Sequence, residues 1–310
     1  MSKTAVVFPG QGSQWVGMGR AFHQVSAAAR ELFALAEEKS GLPIARLCFE
    51  GPMEELTRTV NLQPAMAAVD LVCWQALAEA GVEPVVVAGH SLGEYPALVA
   101  AGALEPAECL ELVALRGRLM EREAAAQPGA MAAVMGASPQ VVAEICGRVG
   151  GIVQPANFNT PVQTVITGDK GSVAEASKLA KAEGYKVIPL KVSGAWHSPL
   201  MAQAGQEMEE AIERVEFHPL VRHLVPNTSA RPTRDAAEVK RQLKAQLTSS
   251  VRWVQSVEAM REMGVEVFIE AGPKKVLAGL IKKTLPQARV LGFEDPEGLE
   301  KVLAALQEQE

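Results

Sequence analysis

The stretch Val85-Val86-Val87-Ala88-Gly89-His90-Ser91-Leu92-Gly93-Glu94-Tyr95 decides how this chain is read. Four apolar residues, three of them β-branched, run into a glycine, as a short buried strand does at its end. A helical run follows. Between them, Gly89 to Gly93 fits G-x-S-x-G in the strand-turn-helix context that motif requires. So sharp a turn needs small residues on both sides of the serine. It lifts the hydroxyl clear of the backbone and points the free N–H groups of the helix start toward it. Ser91 is therefore the candidate nucleophile.

Outward from this turn, strand-like and helical runs alternate. Ala5–Phe8 is a second apolar run, ended by Pro9-Gly10, and Val225, Val265–Ile269 and Val290–Leu291 suggest further buried strands. Amphipathic helices are expected at roughly Pro106–Ala126 and Pro199–Val215. The pattern predicts an α/β fold, a parallel sheet covered by helices. Residues 129–190 differ, reading strand, helix, strand, strand, helix, strand at Met131–Met135, Pro139–Val149, Ile152–Asn157, Gln163–Thr167, Ser172–Glu183 and Lys186–Leu190. That is the split βαβ order of a ferredoxin-like unit. The expected division is a larger catalytic subdomain, 1–126 and 192–310, interrupted by a smaller one at 127–191.

The chain has 310 residues, 48% of them apolar, enough for a sizeable core. Its net charge of −6 offers no electrostatic case for nucleic acid as a partner. The four cysteines, Cys48, Cys73, Cys109 and Cys146, are scattered among apolar residues with no CxxC spacing. They read as core residues in a reducing compartment, and no metal is expected. The apolar run at the N-terminus is too short for a signal peptide, and no stretch approaches the ~18 apolar residues of a membrane span. A cytoplasmic, monomeric protein is the expectation.

A serine nucleophile needs a base, and there are five histidines. His90 adjoins the serine but points elsewhere in a tight turn. His23, His218 and His223 sit in polar or loop surroundings. His197 precedes Ser198-Pro199, a helix start, and a helix N-terminus disfavours the protonated imidazole. That suits a general base, although a structural role fits the residue equally well. Arg116 has Leu112, Val113, Leu119 and Met120 at ±3 and ±4, so it faces the packed side of its helix. A buried guanidinium must meet an anion. Either a structural carboxylate such as Glu94 or the carboxylate of a substrate meets that need. Gln246, in the stripe Val239, Leu243, Leu247, would either cap a core backbone group or hold an imidazole through its carbonyl oxygen. Gly10-Gln11-Gly12 after the first strand is weak as a phosphate loop but fits a loop presenting N–H groups beside Ser91.

With these residues in place, the chain resembles the malonyl-CoA–acyl carrier protein transacylase family. The resemblance rests on FPGQGSQ at 8–14, GHSLGEY at 89–95, RGRLM at 116–120, GAMAAV at 129–134, ANFNTPVQTVITG at 156–168, WHSPLM at 196–201, QLTSSVRW at 246–253 and EAGPKKVLAGL at 270–280. It implies an α/β-hydrolase-like larger subdomain interrupted by a ferredoxin-like one. It implies Ser91 as nucleophile, His197 as base and Gln246 as the residue that orients His197 through a main-chain or side-chain carbonyl. It also implies an oxyanion hole from the N–H groups of Gln11 and Leu92, each donor supplying about 2.7–4 kcal/mol by analogy. Arg116 would clamp the malonyl carboxylate, and Leu92 and Trp196 would wall off an α-branched acyl group. The expected partners are malonyl-CoA and acyl carrier protein. The coenzyme A thioester enters as substrate, with no bound cofactor.

Three residues depart from the family pattern: Trp196 stands where Phe is commoner, Pro96 replaces a small residue, and Lys274 replaces a glycine. Pro96 is expected to disturb a helix that begins at Ser91 or Leu92. For docking an acidic carrier, Lys178, Lys181, Lys186, Lys191, Lys274, Lys275, Lys282 and Lys283 are candidates. The competing readings are a polyketide acyltransferase of other acyl specificity, an esterase, and a non-catalytic carrier-binding scaffold. The esterase order of serine, acid and late histidine does not fit, because more than a hundred residues follow His197. The scaffold would not need Ser91, His197, Arg116 and Gln246 together.

Overall fold

A computed structural model describes residues 2–308. Its nine strands are β1 (Thr4–Phe8), β2 (Val86–Gly89), β3 (Gly129–Met135), β4 (Val153–Thr160), β5 (Gln163–Asp169), β6 (Lys186–Pro189), β7 (His223–Val225), β8 (Val267–Ala271) and β9 (Arg289–Phe293). Five of them form a parallel sheet in the order β7-β2-β1-β8-β9. Along β1 the side chains alternate between two cores: Val6 and Phe8 join one cluster, Ala5 and Val7 the other. Both faces are therefore covered, as a parallel sheet requires, and this explains why its strands read as unbroken apolar runs.

The other four strands form an antiparallel sheet in the order β4-β5-β3-β6. The helices Pro139–Gly147 and Lys170–Ala182 pack on it through a core of their own, which includes Val134, Val142, Ile145, Ile166 and Val173. Every element expected between residues 129 and 190 is present within a few residues of its expected ends. The order is ferredoxin-like.

Between β1 and β2 lies a helical block not located from sequence, at Arg20–Val25, Ala27–Ser40, Ile44–Glu50, Met53–Thr57 and Thr59–Glu79. The last of these is buried along most of its length and packs against helix Pro106–Ala126. Gly117 allows that approach, since a Cβ there would lie 3.0 Å from Thr59 O and 3.2 Å from Gln63 Cβ. The contact carries Gln63 up to Arg116.

Two expectations are corrected. The segment 199–215 is not one helix: a 3₁₀ turn, Pro199–Met201, leads into the α-helix Ala202–Arg214. Nor does Pro96 disturb its helix. Ser91–Gly93 is a 3₁₀ turn and the α-helix starts at Glu94, so Pro96 falls in the first turn, where no N–H is needed. Lys274 adopts a left-handed backbone, at φ 62°, and its N–H donates to Glu294 Oε2 at 3.0 Å. A lysine there costs about 1–2 kcal/mol relative to the ordinary helical region. Among the described residues no helix is long and apolar enough to cross a membrane, and all four cysteines are free and buried.

Candidate active site

Adjacent parallel strands bring three loops together at their carboxyl ends: Gln11 follows β1, Ser91 follows β2 and Asn227 follows β7. The glycines of the turn are sterically required. A Cβ on Gly89 would sit 1.9 Å from the carbonyl of Gly93, and one on Gly93 would sit 2.1 Å from Phe8 O. Between them Ser91 adopts φ 53°, a strained value for a residue with a side chain. Asn227 holds it there, its Oδ1 accepting from Ser91 N–H at 2.7 Å while its Nδ2 donates to Gly89 O at 2.6 Å.

The Ser91 hydroxyl lies 2.7 Å from His197 Nε2. His197 Nδ1 faces two backbone carbonyls, Gln246 O and Ser249 O, each at 3.1 Å. Two acceptors on that side place the ring proton on Nδ1, leaving Nε2 free to accept from the serine. Ser198 caps the turn that follows, accepting from Leu200 N–H, as expected. Behind the histidine, Gln154 of β4 donates to His197 O at 2.9 Å. Val251 pairs with β4, Phe158 N–H to Val251 O at 2.9 Å and Val251 N–H to Ala156 O at 2.8 Å, and Arg252 N–H donates to Asn227 O at 3.0 Å, so this segment ties the antiparallel sheet to the loop that follows β7.

Arg116 is fully buried. It donates to Gln63 Oε1, to Ser91 Oγ at 3.1 Å and to Gln246 Oε1 at 3.2 Å, all neutral acceptors, and its Nε has no partner among the described residues. Its guanidinium lies 5.7 Å over the Tyr95 ring. Of the two anions weighed from sequence, Glu94 is nearby but does not touch it. Glu94 Oε2 instead accepts from Gln246 Nε2 at 2.8 Å.

Ser91 and His197 open onto a cavity of about 150 Å³, lined also by Gln11, Gln63, Met120, Asn159 and Trp196. Arg116, Gln246 and Glu94 lie one layer behind this lining, Arg116 reaching it through its bonds to Gln63 and Ser91. Residues 5–308 match the protein family described as "Acyl transferase domain". The chain belongs to the acyl transferase family. The malonyl CoA-acyl carrier protein transacylase of Bacillus subtilis (strain 168) is 41% identical to this acyltransferase over 313 residues, 100% of this chain and 99% of the relative. The crystal structure of a malonyl-CoA:acyl carrier protein transacylase from Xanthomonas oryzae pv. oryzae superposes with TM-score 0.94 at 40% identity, covering 98% of each chain. A further structure, a type II PKS acyl-carrier protein in complex with its malonyl-transacylase, superposes with TM-score 0.94 at 36% identity and covers 98% of this chain and 100% of that one.

Within the acyltransferase, Ser91, His197, Arg116 and Gln246 converge. Gln11 lines the cavity, and its loop abuts the nucleophile turn: a Cβ on Gly10 would lie 2.5 Å from His90 O and 3.8 Å from Leu92 N. Leu92 N–H sits at the start of the 3₁₀ turn, ahead of its first internal hydrogen bond. The two residues expected to shape the acyl pocket separate. Trp196 forms part of the wall, its ring fitting only because Gly194 lacks a Cβ, which would lie 2.5 Å from it. The Leu92 side chain packs into the main core and does not line the cavity.

Of the other histidines, His90 bonds Asn159 Oδ1 at 2.9 Å and meets Trp253 edge-on. His23 meets Phe33 and Phe49 edge-on. The Gln246 side chain does not hold the imidazole; its main-chain carbonyl does. Its amide points the other way, Nε2 donating to Ser91 O at 2.8 Å and to Glu94. Sequence reasoning missed Gln63, Asn227, Ser249 and the present place of Glu94.

Burial, and after it the Arg116 charge, push the His197 imidazole down to about 3. The base is thus neutral in the resting enzyme well below neutral pH. Between about 3 and the ordinary 6.5 the folded chain binds fewer protons here than the unfolded one, so this group makes stability fall as pH drops through that window. Nitrogen-15 NMR of the imidazole is expected to show His197 neutral at pH 5, with its midpoint rising in Arg116→Ala. A midpoint near 6.5 in the wild type would refute a buried, preorganised base.

Proposed function

We propose that this chain transfers the malonyl group of malonyl-CoA to the phosphopantetheine thiol of acyl carrier protein through a malonyl ester on Ser91, supplying extender units for fatty-acid or polyketide synthesis. The observation that carries the reading is Arg116: a fully buried cation beside the Ser91 hydroxyl whose acceptors are all neutral. A neutral ester offers nothing to such a group. A thioester carrying a free carboxylate does, through a charge-assisted pair.

The chemistry follows from the positions. Ser91 Oγ attacks the thioester carbonyl while its proton passes to His197 Nε2, 2.7 Å away. The backbone carbonyls at Nδ1 stabilise the imidazolium that forms. Negative charge on the former carbonyl oxygen is met by the N–H groups of Gln11 and Leu92. The C–S bond breaks, His197 protonates the leaving thiolate, and coenzyme A departs. The carrier's thiol then attacks the malonyl-serine ester, His197 takes the thiol proton, and the C–O bond to Ser91 breaks with return of that proton to Oγ. On this reading residues 1–126 and 192–310 form the catalytic subdomain and 127–191 the smaller one, with the thioester arm reaching Ser91 between them.

Because the first half-reaction needs no carrier, the enzyme should exchange label between free coenzyme A and malonyl-CoA when acyl carrier protein is absent. Exchange that requires the carrier would mean direct transfer and would rule out the ester on Ser91.

A further inference from the structure

An amide side chain can lie two ways, with oxygen and nitrogen interchanged, and its hydrogen-bond partners decide which. For Gln246 the choice matters. With Oε1 toward Arg116 it accepts a bond at 3.2 Å. Flipped, it would turn an NH₂ against the guanidinium, donor against donor. The groups that impose the observed orientation are on the other side: Ser91 O and Glu94 Oε2, each 2.8 Å from Nε2. Glu94 is fully buried. The same Oε2 also receives the N–H of Asn227 at 3.3 Å, and Asn227 is the residue that holds Ser91 N–H and Gly89 O.

We infer that Glu94 is a positioning residue of the acyl-transfer site, fixing the Gln246 amide so that Arg116 is held by a neutral oxygen and remains available to a substrate carboxylate. Gln246 is then a spacer between a buried cation and a buried acid. Direct contact between Glu94 and Arg116 would satisfy the guanidinium and close it to malonyl. The spacer keeps the two apart while holding both. Gln246 also offers its main-chain carbonyl to His197, so one residue links the carboxylate clamp to the base. A plain structural role is the competing account, since Glu94 opens its helix and an acid is favourable there.

This inference rests on the malonyl reading above, and the test separates the two. Rates of covalent acylation by malonyl-CoA and by acetyl-CoA, followed by intact mass, are compared in wild type, Glu94→Met, Glu94→Gln, Gln246→Ala and the Glu94→Met/Gln246→Ala double variant. Glu94→Met fills the volume without a strong acceptor; Glu94→Gln keeps an acceptor oxygen. Glu94→Met is expected to slow malonyl acylation about 10- to 100-fold, the range for an unpaired buried polar group, and acetyl acylation far less. Glu94→Gln should stay within about fivefold of wild type, and Glu94→Met should cost under about twofold more once Gln246 is already Ala. Equal losses for the two acyl groups, a Glu94→Gln as impaired as Glu94→Met, or losses that multiply in the double variant would each overturn it. A wild type that labels equally with malonyl and acetyl would instead overturn the malonyl reading, and this inference with it.

Discussion

Intact-mass spectrometry after mixing with malonyl-CoA is expected to show one added malonyl group on the wild type and none on Ser91→Ala, with transfer reduced by at least about 10⁴-fold, as for removal of other serine nucleophiles. The size of the effect follows from the site. Ser91 Oγ is bonded to His197 Nε2, it accepts a bond from Arg116 that favours the developing alkoxide, and its backbone is locked by Asn227. Alanine removes the hydroxyl and leaves the rest of the network in place, so loss of labelling with unchanged thermal stability would identify the nucleophile. A malonyl adduct that survives in Ser91→Ala would place the covalent chemistry elsewhere.

Arg116→Ala should act differently. Truncating one member of a buried, hydrogen-bonded charge pair costs roughly 2–5 kcal/mol, so kcat/KM for malonyl-CoA is expected to fall by about 30-fold to several thousand-fold. Acetyl-CoA brings no carboxylate, and its acylation should fall much less, shrinking the preference between the two. The variant also leaves Gln63 Oε1 and Gln246 Oε1 without a donor, a general cost that both substrates share. The ratio of the two rates, measured in the same preparation, cancels that cost. An unchanged ratio would leave Arg116 a structural cation and remove the main support for malonyl.

The parts of this molecule legible in its sequence are those set by local rules. The turn at Ser91 declared itself because two glycines must flank it, and a Cβ at either would overlap backbone. The antiparallel sheet was legible because its six elements follow one another without interruption. Arg116 was legible because a cation on an apolar helix face needs an explanation. Gln63 carries the same signal, a polar residue inside the run Leu62-Gln63-Pro64-Ala65-Met66, and the rule applied to Arg116 would have found it. Asn227 and Ser249 were out of reach. They sit in loops whose nearness to Ser91 and His197 comes from strand order in the parallel sheet and from the pairing of Val251 with β4, contacts between residues far apart in the chain. The direction of the Gln246 side chain was equally hidden, since it depends on the three groups that meet its amide, Arg116, Ser91 O and Glu94.

The backbone pairing behind His197 bears on how two large substrates take turns at one small cavity. Val251 is bonded to both Ala156 and Phe158, and Ser250 Oγ adds a bond to Pro155 O at 2.7 Å. These bonds tie the loop that carries Ser249 O to the edge of β4, so the acceptors at His197 Nδ1 are placed by backbone pairing. The two thioesters that visit Ser91 in turn then find the base in one and the same register, set by main chain and not by a side chain that each arrival would have to re-aim.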